Sequence, residues 1–148
     1  MSPLRNKSLK DFNTFGIAAT ASHLISFSTV DELKQALVIP TQKRMILGGG
    51  SNLLFTQDFD GVVLKNEIKG ISVINETPDY VTVTFGAGEN WHDCVLHSIN
   101  QGWGGIENLA LIPGTVGAAP MQNIGAYGVE IKEVFHTLSA VNVKTQQI

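Results

Sequence analysis

Two glycine-rich runs hold the residues whose types and spacing could do chemistry. Gly48-Gly49-Gly50-Ser51-Asn52 follows the apolar run Arg44-Met45-Ile46-Leu47 directly. Successive backbone N–H groups in a tight glycine turn form a concave anion site, and Ser51 and Asn52 add side-chain donors. A dinucleotide fingerprint would open a helix straight after the glycines, and a P-loop would carry Gly-Lys-Ser/Thr. Neither follows here, because residues 53–55 and 58–64 read as strand-turn-strand. The run is a phosphate nest between strands or a bare hairpin turn, and triple Gly followed by Ser-Asn is excessive for a simple turn.

The second run covers residues 102–130 and carries no charged residue between Glu107 and Glu130. Pro113, Pro120, Gln122 and Asn123 interrupt it, whereas a membrane-spanning helix needs about 20 predominantly apolar residues. At its centre, Pro113-Gly114-Thr115-Val116-Gly117-Ala118-Ala119-Pro120 leaves room for a planar group and offers main-chain N–H groups to phosphate. Gln122-Asn123-Ile124-Gly125-Ala126-Tyr127-Gly128 then mixes amides, glycine and one aromatic, which suits a heterocycle edge and a ribityl chain. Ile112 precedes this stretch and Leu53 follows the first nest; both belong to the candidate cofactor site. The alternative is a tightly packed buried loop. Two nests in one small chain suggest a dinucleotide whose pyrophosphate and sugar lie between them.

The elements that must position these runs are short. Residues 23–27 form a strand, and Thr29 with Glu32 three positions on makes a capping box for a helix whose apolar stripe is Leu33, Ala36 and Leu37. Pro40 stops it. Residues 44–47 are a strand, 53–55 resume extended structure, and 58–61 turn into a further strand at 62–64. Residues 71–74 and 80–85 pair around Pro78-Asp79, and Val81, Val83 and Phe85 alternate with Thr82 and Thr84 as a half-buried strand does. Asn90 caps a second helix with Val95, Leu96 and Ile99 inward, and Gly102 takes the C′ position. Residues 141–148 read as a strand running into a turn. Strands outnumber helices and hairpin-like links recur, so the class is α+β. Two small subdomains, residues 1–70 and 71–148, are expected.

Composition excludes several functions. The 148 residues carry a net charge of −3, against the basic face that nucleic acid calls for. Cys94 is the single cysteine, so there is no disulfide framework and no Cys-based zinc site, and the four histidines have no metal spacing. The N-terminus lacks an apolar signal region, which suits a cytoplasmic setting. No Ser-His-Asp set and no paired carboxylates stand in a glycine frame. His92 and Asp93 are expected to be solvated and Cys94 packed, with Trp91 and Trp103 as core or cofactor-adjacent packing. These residues look built to bind rather than to react, and no membrane or nucleic-acid partner is expected.

Asn13-Thr14-Phe15-Gly16-Ile17, LGGGSNLLF at 47–55, GAGENWH at 86–92 and ENLALIPGTVGAAPMQNIGAYGVE at 107–130 resemble, in that order, the UDP-N-acetylenolpyruvoylglucosamine reductases, the MurB flavoenzymes of peptidoglycan synthesis. The last motif is long and specific, and its wording is closest to the type I branch. The resemblance implies the FAD-binding fold shared with vanillyl-alcohol oxidase and p-cresol methylhydroxylase, truncated before the substrate domain. It implies FAD held at residues 48–52 and 113–119, with 122–128 along the ribityl and isoalloxazine side. It implies NADPH as hydride donor, a nucleotide-sugar substrate reduced at its enolpyruvyl group, protonation by a serine, and a monomer. Ala118 and Ala119 bring no hydroxyl, which leaves main-chain N–H groups for the phosphate. The family's catalytic arginine, serine and glutamate would lie beyond Ile148, so no catalytic residue is assigned in this chain. A stand-alone flavin or nucleotide-binding module, and an oxidase of the same superfamily, are the alternatives.

Overall fold

The computed structural model describes residues 3–148. Residues 1 and 2, where the expected first subdomain begins, lie outside it. The chain packs as two compact units, one of Met1–Ile68 with Ser139–Ile148 and the other of Lys69–Leu138.

The first unit is built on a four-stranded sheet of order β1-β2-β4-β3, with β1 Leu4–Ser8, β2 Thr20–Phe27, β3 Arg44–Leu47 and β4 Phe59–Asn66. β1 pairs antiparallel with β2, whereas β4 lies between β2 and β3 and parallel to both. Val62, Val63 and Leu64 of β4 are all buried, as a central strand covered on both faces requires. Helix α1, Val30–Leu37, brings Ala36 and Leu37 onto Ile25, Phe27, Val62 and Leu64. A second cluster gathers Leu9, Ala21, Leu24, Leu47 and Val63, with Phe12, Leu53 and Phe55 against it.

Several sequence expectations are corrected here. β1, where the sequence led to no expected strand, has no apolar alternation, is largely exposed and pairs with β2 along one edge only. β4 already runs through 59–61, so the expected turn there is strand, and residues 53–55 form no strand because Leu53 and Phe55 turn into the core instead. The link from β3 to β4 is a crossover between parallel strands, not a hairpin. The capping box of α1 is half formed. Thr29 accepts from the Glu32 N–H at 3.1 Å, but the Glu32 carboxylate turns back to the Ser28 N–H and hydroxyl. These two donors, the N–H first, hold the Glu32 carboxyl below its usual range. Residues 141–148 form no strand, because Asn142 closes them on themselves, accepting from Lys144 and Thr145 and pairing with Gln147.

In the second unit β5, Ile71–Glu76, pairs antiparallel with β6, Val81–Phe85. The hairpin is where the pattern placed it, yet none of its residues is buried. A two-stranded ribbon has no third strand to build a covered face. Helix α2, Trp91–Asn100, is capped by Asn90 and closed at Gly102, where Gly102 N–H meets Ile99 C=O and Trp103 N–H meets Ser98 C=O. That pair of bonds is a Schellman motif. Trp91, Cys94, Val95 and Ser98 face inward; Leu96 and Ile99, expected inside, are 44% and 45% exposed. The remaining core is Leu109, Ala119, Ile124 and Ile131 against Trp91 and Val95.

Cys94 is 1% exposed, and burial first, with Glu89 and Asp93 adding repulsion, pushes its thiol up to about 11. The thiol is therefore protonated at pH 8. It should react with a thiol-specific reagent at that pH only after denaturant unfolds the chain; fast labelling of the folded protein would contradict the packing described.

Candidate functional site

The first nest leaves the carboxyl end of β3, on the sheet edge where parallel β2 and β4 also end. Loops at that edge are where open sheets with parallel strands place ligands. Gly50 is buried and has φ +70°. A Cβ there would stand 2.0 Å from the Phe12 carbonyl oxygen, so the turn passes over the Phe12–Asn13 peptide at a distance that excludes any side chain. Asn13, 7% exposed, fixes that peptide. Its Nδ2 donates to Leu9 and Ile17 carbonyls at 2.7 and 2.9 Å, and its Oδ1 accepts from the Ile17 N–H at 3.0 Å. Thr14 N–H donates to the Gly50 carbonyl. Among the described residues, the N–H groups of Gly49, Gly50 and Ser51 donate to no protein backbone acceptor. Gly48, Gly49, Ser51 and Asn52 sit in the same turn, with Asn52 exposed, while the Leu53 side chain packs partly buried into the core.

The second run is organised differently. Residues 109–117 lie along residues 87–92. The Trp91 indole N–H donates to Leu109 C=O at 2.8 Å, Leu111 N–H to His92 Nδ1 at 3.2 Å, and Trp91 N–H to Gly114 C=O at 3.1 Å. Val116 N–H donates to Glu89 C=O at 3.0 Å and Gly117 N–H to Ala87 C=O at 2.8 Å. Ala118 N–H is also engaged, by Thr115 C=O. Three of the main-chain donors foreseen for phosphate thus serve the protein. Gly117 has a second duty, since a Cβ there would stand 2.9 Å from that of Ala87. Thr115 and Ala119 are buried, Ile112 and Val116 pack partly buried on the core, and Pro113 and Ala118 are exposed. His92, expected to be solvated, is engaged through Nδ1.

The last stretch forms a hairpin that periodicity did not reveal, β7 Gly125–Ala126 with β8 Val129–Glu130. Tyr127 and Gly128 both have positive φ, the signature of a type I′ turn. Tyr127 is 89% exposed at its tip. Asn123, Gly125, Ala126 and Gly128 line an open hollow of about 480 Å³ together with Glu130 and Glu133. Asn123 Oδ1 accepts from the Lys132 N–H, and Gln122 is exposed. The Lys132 ammonium first, then the Asn123 side chain, holds the Glu130 carboxyl below its usual range.

The segment whose positioning work the sequence reading passed over is 86–92. Glu89 holds its carbonyl to Val116 and its carboxylate to the Gly70 N–H at 2.7 Å and Lys69 Nζ at 3.2 Å. Its recurrence in the family wording was the available signal.

No group of three or more His, Cys, Asp or Glu could hold a metal ion among the described residues, and no helix there is long and apolar enough to cross a membrane. A family model described as an FAD binding domain matches residues 21–147. The chain belongs to the FAD-binding domain family. The UDP-N-acetylenolpyruvoylglucosamine reductase of Flavobacterium johnsoniae is 50% identical over 143 residues, which cover 96% of this chain and 42% of that protein. The reductase of the same name from Neisseria gonorrhoeae is 47% identical over 150 residues, or 99% of this chain and 43% of that one. The crystal structure of UDP-N-acetylenolpyruvylglucosamine reductase (MurB) from Thermus caldophilus superposes with a TM-score of 0.69 at 29% identity, covering 88% of this chain and 46% of that one. The α+β, FAD-binding class expected from the sequence agrees with these likenesses. The chain spans less than half the length of these relatives.

Gly50→Ala should cost at least about 2 kcal/mol, since it adds strain at positive φ to a clash with fixed backbone. Urea unfolding checks this, and a loss under 0.5 kcal/mol on the same scale would contradict it. The Gly70 N–H, and Lys69 after it, keep the Glu89 carboxyl below the usual 4.5. A folded-state value below the unfolded one gives stability that is present above that pH and lost as pH falls through the folded value. Glu89→Gln should flatten the acid side of the stability curve between about pH 5 and 3, as read by thermal unfolding.

Proposed function

We propose that this chain is the FAD-binding part of an NADPH-dependent reductase that converts UDP-N-acetylglucosamine enolpyruvate to UDP-N-acetylmuramate in the cytoplasm. The observation that carries the reading is the turn after β3, where Gly49, Gly50 and Ser51 offer successive N–H groups without backbone acceptors. Such a nest takes an anion without any cation, and the family to which the chain belongs takes a cofactor with a pyrophosphate. Residues 48–52 hold that pyrophosphate. The second run bears the cofactor differently, by close approach at the small accessible residues Gly114 and Ala118, backed by buried Thr115 and Ala119, rather than by the N–H groups of Val116 and Gly117.

The hollow beside β7 and β8 is walled by Glu130 and Glu133, which repel phosphate. It suits an uncharged polar edge, so Asn123, Gly125, Ala126 and Gly128 line the ribityl and isoalloxazine side. When bound, the flavin supplies hydride-transfer chemistry. The residues of this chain bind and orient it, and none of them is placed to act as acid or base. A nucleotide-sugar substrate, NADPH and a monomeric state belong to the longer enzyme.

Titration with FAD and with FMN, followed by quenching of flavin fluorescence, tests the reading. FAD should bind more tightly than FMN, because the nest recognises a pyrophosphate that FMN lacks. The chain alone should oxidise no NADPH when UDP-N-acetylglucosamine enolpyruvate is added. A folded chain that takes up neither flavin overturns the binding assignment, and substrate-dependent turnover overturns the assignment of catalysis to residues outside it.

A further inference from the structure

Of the five hydrogen bonds that lay residues 109–117 on 87–92, three hold ordinary backbone and a fourth meets Gly114, a glycine that takes φ +125° without a Cβ penalty. The fifth holds an outlier. Leu111 has φ +64°, a left-handed conformation that penalises any residue with a Cβ. Its side chain gains nothing in exchange, being 78% exposed. The interaction recorded at its backbone is the N–H bond to His92 Nδ1 at 3.2 Å. That acceptor needs a lone pair on Nδ1, so the imidazole serves as its neutral Nε2–H tautomer. Strained residues persist only where the surroundings over-determine them, and they gather at ligand clamps.

Position 111 also sets a direction. Pro113 fixes its own φ and restricts Ile112, so the course of the loop is chosen at the residue before them. Two residues beyond Ile112, Gly114 C=O meets Trp91 N–H, and Val116 and Gly117 then fall onto Glu89 and Ala87. We propose that His92 is a positioning residue: its neutral imidazole holds Leu111 left-handed and so sets residues 112–117 in the shape that receives the flavin. The flavin clause rests on the function proposed above; the claim about loop shape does not.

Glycine adopts the left-handed region without a Cβ penalty, so Leu111→Gly should make the imidazole dispensable. The variants are His92→Ala, His92→Leu, His92→Asn and the double variant His92→Ala/Leu111→Gly. His92→Asn puts an amide oxygen near the place of Nδ1, and His92→Leu keeps bulk without an acceptor. Two readouts apply to the 148-residue chain: FAD affinity by fluorescence quenching, and amide hydrogen exchange at Val116 and Gly117. His92→Ala and His92→Leu should each weaken FAD about tenfold and speed exchange at both amides by a similar factor, as the loss of one hydrogen bond that offsets strain predicts. His92→Asn and the double variant should return to within about threefold of the native chain, at most about half of that effect in free energy. Native-like affinity and exchange in His92→Leu overturns the proposal, and so does an equal loss with leucine or glycine at position 111. If His92→Ala does not fold, as read by far-UV circular dichroism, the comparison of His92→Asn with His92→Leu decides. A native chain that binds no FAD defeats the functional reading, and the exchange measurements still decide the role of His92.

Discussion

The hydrogen bonds from residues 87–92 to residues 109–117 are the constraint on which the second unit depends. Buried main-chain donors and acceptors must be paired, and a stretch with neither helix nor a long ladder has to find its partners elsewhere. Here the partners are the carbonyls of Ala87 and Glu89, the N–H and indole of Trp91, and the ring of His92. Trp91 does two things at once: it buries a large ring against Val95 and Leu109 and donates to the Leu109 carbonyl. Because α2 begins at Trp91, the same helix start that builds the core also lays down the loop. The Asn90 cap therefore matters beyond its own helix.

In the first unit the corresponding constraint is the packing of one peptide under another. Three bonds from one buried amide, Asn13, hold the loop that contains the Phe12–Asn13 peptide, and the glycine turn after β3 lies on it at Gly50. The turn is thus held from below by that contact and by the Thr14 N–H on the Gly50 carbonyl, and among the described residues the N–H groups of Gly49, Gly50 and Ser51 reach no backbone acceptor. A turn held instead by its own N–H groups would be as rigid, and would have nothing to offer an anion.

Much of this was legible in the sequence. α1 and α2 with their caps at Thr29 and Asn90, the β5–β6 pair and the C′ glycine at 102 follow from local signals, and local interactions form them. What failed depended on partners far along the chain. Nothing within Leu4–Ser8 announces an edge strand, because its pairing with β2 supplies the reason for it. The parallel insertion of β4 between β2 and β3 is invisible to a pattern that reports burial but not direction. Leu96 and Ile99 fit the helical period, yet both stay nearly half exposed. The type I′ turn at Tyr127-Gly128 does not announce itself, since an aromatic at the first central position obscures the usual Asn-Gly signal.

The two glycine-rich runs look alike in composition and are physically opposed. In one, glycine lets the main chain approach a peptide closely, and the turn is tied there through its Gly50 carbonyl rather than through the N–H groups of residues 49–51. In the other, Gly117 lets the main chain approach Ala87 closely enough for its own N–H to make the hydrogen bond. An anion site requires donors that remain unclaimed once the protein has satisfied itself, and glycine content does not report that. The question that separates the two runs is which carbonyl each N–H reaches. Among the described residues Gly49, Gly50 and Ser51 reach no backbone carbonyl, whereas Val116, Gly117 and Ala118 each reach one. It follows that more glycine in the second run would free none of the donors already bonded there, while a single carbonyl turned toward Gly49–Gly50 would claim donors that the first run leaves open.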